Sequence, residues 1–347
     1  MKNKKLFTEI LLSWNLSENK REMPWKGEKD PYKIWLSEII LQQTRVSQGL
    51  GYYYKFIKSF PDVQSLADAP EEKVFKHWEG LGYYSRCRNL IATAKFIATK
   101  LHGKFPEKYE DIVALKGVGS YTASAIASFA WNQPYAVVDG NVFRVLSRFF
   151  GWDDPIDTTE GKKKYATLAT QLLDKKSPGI YNQAIMDFGA IICKPQIPLC
   201  EQCPLQLKCT AFRTNKVNSL PLKTKSIKRR ERFFTYLIAE YKEQFYVKKR
   251  TGKDIWQGLY EFILIESDKL LDEVQLKAPG IFTENSFSIS EVSKTFSQKL
   301  THQTITGKFI HINLIDGPDV EQGYSLVTKE QLDLLPFPKF ITSYLKD

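Results

Sequence analysis

The chain has 347 residues, 43% of them hydrophobic, which is long for a single core and predicts two domains. Its 50 Lys and Arg against 39 Asp and Glu leave a formal charge of +11, which favours a polyanionic partner because cations that neutralise phosphates release condensed counterions. Nucleic acid is the first candidate and a membrane surface the second, while no stretch is apolar enough to predict a transmembrane span.

In chain order, the opening MKNKKLFTEILLSWN has its apolar run cut by Thr8, Glu9 and Ser13, so it reads as an amphipathic helix and not a signal peptide. The expectation is a cytoplasmic protein whose thiols stay reduced, where clustered cysteines mean metal more often than disulfides. Helical periodicity continues in DPYKIWLSEIILQQTRVSQ, with Asp30 as N-cap and Pro31 in first position. There Ile34, Glu38 and Leu41 fall on one stripe, which puts Glu38 on an apolar face. Burial disfavours the charged form, so this carboxyl can keep its proton near neutral pH and act as a general acid. The plainer alternative is a buried glutamate paired to an arginine.

Further on, LKGVGSYTASAIASFA places Gly117 and Gly119 where a tight hairpin can join two helices. The amides that follow point outward at a helix N-terminus, where phosphate is stabilised, which is the helix-hairpin-helix pattern; an ordinary helix connection is the alternative. Asp139 closes the apolar run of PYAVVDGNVFRVL, where it can serve as an N-cap or as a catalytic carboxylate. A further helix is predicted over TTEGKKKYATLATQLLDKK.

Four of the five cysteines, Cys193, Cys200, Cys203 and Cys209, form C-x6-C-x2-C-x5-C. Four thiolates in one loop can enclose a zinc ion or an iron–sulfur cubane, and geometry alone does not choose. Only one short C-x2-C hook is present, which favours iron and sulfur over the paired hooks of a zinc knuckle. Cys87 is expected only to pack.

From Thr210 the pattern gives way to TAFRTNKVNSLPLKTKSIKRRE, polar and basic, which predicts an exposed linker. Beyond it RFFTYLIAEY, QFYVKKR, LYEFILIE and GKFIHINLI read as strands of an α+β domain. The boundaries drawn are 1–212 for the helical domain, with its cysteine loop at 193–209, then 213–231 for the linker and 232–347 for the second domain.

The order LSEIILQQTR, GLGYYSR, LKGVGSYTA, VVDGNV and the cysteine spacing resembles the adenine DNA glycosylases of the MutY family, in the endonuclease III superfamily. The resemblance covers the first 210 residues strongly and the rest more loosely. It implies a multidomain protein: an all-α helix-hairpin-helix glycosylase domain holding a [4Fe-4S] cluster on the four cysteines, and a C-terminal Nudix-like domain. It further implies a bacterial, nucleoid-associated monomer acting on double-stranded DNA, with no membrane role, that removes adenine opposite 8-oxoguanine or guanine in base excision repair. By the same resemblance Glu38 would protonate adenine at N7 and Asp139 would stabilise the positive charge at C1′ of the sugar, by ion pairing or a transient bond. Tyr121 and Asn141 would support them.

Bifunctional relatives carry a lysine, in a GVG-x-K pattern, that forms a Schiff base with the sugar. Here that position is Tyr121, so the resemblance implies a monofunctional enzyme; an endonuclease III-like lyase acting on oxidised pyrimidines is the alternative. The extruded adenine would meet Arg21, Trp25 and Gln183. Gln43 and Thr44, with Leu81 as wedge and Tyr83 as aromatic plane, would fill the gap and surround the partner base. Phosphate contacts would come from Gly117, Gly119 and Lys194.

In the second domain RTGKDIWQGLYEF resembles the opening of a Nudix fold, but the glutamate-rich REx2E pattern that binds magnesium is not found. A reader of DNA is expected there in place of a second enzyme. Relatives read 8-oxoguanine with a Phe-Ser-His segment. The preferred match here is Leu300-Thr301-His302, and Phe296-Ser297-Gln298 is the competing register.

Overall fold

The structure is a computed structural model that describes residues 2–224, 228–271, 287–315 and 323–346. Contacts divide it into two compact units. One comprises Met1–Ala67 and Ala92–Lys225, and the other Asp68–Ile91 and Ser226–Asp347.

Helices account for the chain up to the cysteine loop and beyond: α1 Lys2–Ser17, α2 Pro31–Leu41, α3 Val46–Ser59, α4 Val63–Asp68, α5 Glu71–Trp78, α6 Tyr84–Lys100, α7 Tyr109–Val113, α8 Ser120–Trp131, α9 Gly140–Phe150, α10 Thr159–Leu172, α11 Pro178–Ile191 and α12 Thr210–Arg213. The predicted N-cap of α2 is present, with Asp30 accepting from the Tyr32 amide at 2.9 Å and Pro31 in the first turn. In the first unit Phe7, Leu11 and Trp14 of α1 pack with Val142, Leu146 and Phe149 of α9, Tyr165 and Leu168 of α10, and Tyr181 and Phe188 of α11. α9 and α11 approach so closely that a Cβ on Gly189 would stand 2.6 Å from the Asn141 Cβ. That contact seats the start of α9 against the C-terminal half of α11.

The expected exposed linker is partly folded instead. Ala211 and Leu220 are buried, the Arg148 guanidinium donates to the Leu220 carbonyl at 3.1 Å, and the Ile156 amide donates to the Leu222 carbonyl at 3.1 Å. Single apolar residues spaced among lysines carry no periodicity, so this packing left no mark in the pattern. Residues 225–227 of the linker lie outside the described residues.

The second unit is built on strands β1 Arg230–Tyr241, β2 Gln244–Lys249, β3 Tyr260–Glu261, β4 Ile263–Ser267, β5 Phe287–Val292, β6 Phe296–Lys299, β7 Gln303–Leu314 and β8 Ser325–Thr328, with α13 Lys329–Leu334 and α14 Lys339–Tyr344. β1 and β7 run parallel at the centre, from Arg230↔Gln303 to Glu240↔Asn313. β2 and β4 pair antiparallel with β1, and β5 and β6 with β7. Both faces of β1 are covered, which is why its run from Phe234 to Ala239 is continuously buried and does not alternate. Leu237, Ala239, Ile310 and Ile312 belong to a cluster on the sheet, and Phe309 stacks with Tyr236 and Tyr344, with the Phe340 ring tilted against Tyr236 and Phe309. Residues 272–286 lie outside the described residues. The architecture is thus a helical unit and an α+β unit, as the sequence predicts.

Candidate active site

A cavity of about 650 Å³ opens in the helical unit, and most of the residues singled out in its sequence line it: Arg21, Trp25, Glu38, Gln43, Thr44, Tyr121, Asp139, Asn141 and Gln183. The stripe of Ile34, Glu38 and Leu41 faces this cavity, so the apolar face of α2 is its wall. Glu38 is 7% exposed, and among the described residues it has no arginine partner. Burial pushes its carboxyl up to about 7, the Tyr121 hydroxyl bonded to it opposes that rise, and the nearby Asp139 carboxylate adds to it.

Asp139 is the N-cap of α9. One carboxyl oxygen accepts from the Val142 amide at 2.8 Å, and the other accepts from the Asn141 side-chain amide at 2.6 Å. Burial pushes Asp139 upward as well, but these two donors and the Arg144 guanidinium favour its charged form. Two carboxyls in one cavity therefore receive different treatment: one has a single hydroxyl for company, the other a set of donors. That division suits an acid and an anion, the pairing used to split glycosidic bonds.

A chain of contacts along α9 joins this site to the cysteine loop. Asn141 Oδ1 accepts from Arg144 at 2.8 Å, and Arg144 Nε donates to the Cys193 carbonyl at 2.7 Å. One turn on, Arg148 donates to the Lys194 carbonyl at 2.7 Å and approaches the Cys193 sulfur at 3.5 Å. Both arginines are buried. Cys193, Cys200, Cys203 and Cys209 line one small hollow between α11 and α12. No group of three or more His, Cys, Asp or Glu among the described residues is drawn together as a site for a metal ion. Burial pushes the Cys203 thiol up to about 12 and that of Cys209 upward. Thiolates there would call for a cationic partner.

Near the cavity mouth Gln43 adopts φ of +55° in the turn after α2, a conformation rarely held without reason by a side chain of this kind. Trp25 packs edge-on against Tyr53 at 5.2 Å. Gly117 takes φ of +78° between α7 and α8, and Gly119 caps α8 with no side-chain hydrogen bond, leaving the first amides of α8 without a side-chain cap. Space around Gly119 is open.

In the second unit Leu81, Tyr83, Leu300, Thr301 and His302 share a cavity of about 390 Å³ with Arg88 and Trp256. The Tyr83 and Thr301 hydroxyls are hydrogen-bonded to each other. Thr301 lies in the turn between β6 and β7, while Phe296, Ser297 and Gln298 of the competing register form β6 itself. Leu81 is 5% exposed and forms part of the wall, and Tyr83 is 42% exposed with φ of +49°.

Sequence reasoning missed Asp187. Its side chain is fully buried, and it accepts from Arg21 at 2.7 Å, Lys26 at 3.1 Å, Asn19 at 2.9 Å and Gln183 at 3.0 Å. A lone carboxylate in the apolar run of α11, four residues after Gln183, was the available signal.

Residues 36–171 match the family of HhH-GPD superfamily base excision DNA repair proteins, and residues 235–347 match the NUDIX domain family. The adenine DNA glycosylase of Buchnera aphidicola subsp. Schizaphis graminum is 33% identical over 312 residues, spanning 89% of this chain and 88% of the relative. That of Mus musculus is 43% identical over 216 residues, covering 59% of this chain and 42% of the relative. Among solved structures, a thermostable thymine-DNA glycosylase superposes with a TM-score of 0.57 at 29% identity, covering 61% of this chain and 98% of that one. With similarity running along nearly its whole length and two carboxyls meeting in one cavity, the chain belongs to the adenine DNA glycosylase family, base excision repair enzymes that hydrolyse N-glycosyl bonds.

Proposed function

We propose that the protein is a monofunctional glycosylase that removes adenine paired with 8-oxoguanine or guanine. The observation that carries this reading is the meeting of Glu38, Tyr121 and Asp139 in one cavity, with Glu38 held near neutrality and Asp139 supplied with donors. Adenine leaves poorly as an anion. A proton from Glu38 at N7 lets it leave neutral, and the Asp139 carboxylate opposes the positive charge left at C1′. Asn141 orients Asp139, and Tyr121 orients Glu38. Arg21 and Gln183, both held by Asp187, and Trp25 receive the extruded base. Tyr121 offers no amine for a Schiff base, so water takes the sugar.

Gln43 and Thr44 hydrogen-bond the orphaned partner base, and Tyr83, Thr301 and His302, with Leu81 behind them, face it when it is 8-oxoguanine. The turn at Gly117 leads to the uncapped amides after Gly119, which together with Lys194 hold phosphates. Cys193, Cys200, Cys203 and Cys209 would hold a [4Fe-4S] cluster. It would supply no chemistry to the reaction, since four thiolates leave its irons no open position, and it would shape the phosphate-binding loop. The protein acts as a monomer.

A duplex with adenine opposite 8-oxoguanine tests the reading. Strand breaks are expected only after hot alkali, with little adduct trapped by borohydride. Alkali-independent cleavage with efficient trapping would instead identify a bifunctional lyase.

A further inference from the structure

The second unit buries a charged group that none of these roles employs. Arg232, on β1, is 8% exposed, and all five of its N–H groups have acceptors. Nε and NH2 donate to the two oxygens of Glu266, both at 2.6 Å. NH1 and NH2 donate to the two oxygens of Asp254 at 2.9 and 2.8 Å, and NH1 also reaches the Gln303 side-chain oxygen at 3.1 Å. The flat face of the guanidinium lies over the Phe234 ring at 4.8 Å.

Two of these partners, Asp254 and Gln303, come from different stretches that both line the cavity holding Thr301 and Tyr83. Asp254 leads one stretch, and Trp256, two residues on, takes φ of +62°. Gln303 ends the other, the turn that carries Thr301, which is closed by the Leu300 amide donating to the Gln303 carbonyl at 2.7 Å. The same turn is fastened to the chain just before Arg232. The Arg230 amide donates to the His302 carbonyl at 2.9 Å, and Arg229 Nε donates to the Leu300 carbonyl at 3.3 Å.

We infer that Arg232 is a positioning residue for lesion recognition, fixing the distance between the Asp254–Trp256 wall and the turn that presents Thr301. The inference rests on the assignment of Thr301 and Tyr83 to the 8-oxoguanine side. An arginine is required because only a two-edged planar fork reaches two carboxylates and an amide at once; a lysine would satisfy one of them as a point charge. A buried ion group of this kind adds little net stability for its desolvation cost, and what it supplies is one geometry among several. Arg250 repeats the arrangement nearby, donating to Asp254 at 3.0 Å and to Glu261, so the loop has a second fastening, while Arg232 is the group that ties the loop to the Gln303 side chain of the turn.

The test compares duplex affinity and single-turnover excision for adenine opposite 8-oxoguanine and opposite guanine, using the full chain. Gln303→Leu cuts the link to the turn and leaves both carboxylate forks intact, so folding is expected to persist. Its preference for 8-oxoguanine over guanine in affinity should fall about tenfold, the scale of one hydrogen bond to a charged group. Arg232→Met should do the same where it folds, and Gln303→Glu, which keeps an acceptor, should retain the preference. Thr301→Val is the control for the underlying assignment. If Thr301→Val lowers the preference and Gln303→Leu does not, the positioning inference fails alone. If Thr301→Val keeps the preference, the lesion assignment fails and the inference with it. Equal weakening on both duplexes, or loss in Gln303→Glu as well, would also overturn it.

Discussion

Glu38→Gln exchanges the buried carboxyl for an amide of nearly the same size that has no acidic proton to give. The wild-type group is pushed from 4.5 up to about 7, so at neutral pH about half the molecules carry the proton that adenine N7 requires. A carboxyl left at its ordinary value would carry it in roughly one molecule in three hundred. General acid catalysis contributes about a hundredfold to ten-thousandfold, so the variant is expected to lose about a thousandfold in single-turnover excision while binding the duplex with unchanged affinity. Wild-type excision should fall about tenfold per pH unit once the pH passes about 7, and at low pH it should fall again as Asp139 gains a proton. The same residue costs stability. Its folded-state pKa lies above the unfolded one, so the group is neutral in both states below 4.5, and folding grows less favourable as pH rises from there through about 7. The cost is on the order of 3 kcal/mol at full ionisation. Calorimetry should therefore show a gap in favour of Glu38→Gln that opens between about pH 5 and about pH 8. A variant that excises within about tenfold of wild type, or a wild-type rate that stays flat from about pH 6 to about pH 8.5, would refute the reasoning.

Asp139→Asn should raise the barrier to excision by about 3 kcal/mol, read by single turnover with duplex affinity retained; a folded variant of normal rate would make Asp139 only a helix cap. Asp187→Asn leaves Arg21 and Lys26 facing a neutral amide, which should lower thermal stability by about 1 to 3 kcal/mol and slow adenine removal; no change in either would leave Asp187 without a role in the pocket. Purified protein should be brown, and elemental analysis should find iron and sulfide, not zinc; a colourless, fully active zinc protein would exclude the cluster. Lys194→Ala should weaken binding to matched and mispaired duplexes alike and make the salt dependence shallower by about one counterion, whereas a defect confined to the 8-oxoguanine duplex would contradict a phosphate contact.

Residues whose placement depends on their own stretch of chain were legible from sequence. Asp30 and Pro31 start α2, and the spacing of Ile34, Glu38 and Leu41 then puts Glu38 on the cavity wall, because a helix repeats its face every few residues. Asp139 could be read as a cap and Gly117 as part of a tight hairpin for the same reason, and β1 to β4 and β7 followed from β-branched and aromatic runs, whereas the short β5, β6 and β8 did not. Whatever required two distant stretches to meet was decided by the tertiary structure alone. The Tyr121 hydroxyl reaches Glu38, Asp187 gathers Arg21 and Gln183, Arg144 ties Asn141 to Cys193, and Arg232 joins Asp254 to Gln303. Residues 68–91 likewise join the second unit though they interrupt the first in sequence, and Leu220 is buried within a stretch that reads as linker. Capping, turn chemistry and periodicity act over a few residues and so leave their pattern in a short window. A buried ion group forms only when packed elements bring its members together, and its cost is met by partners that no short window contains.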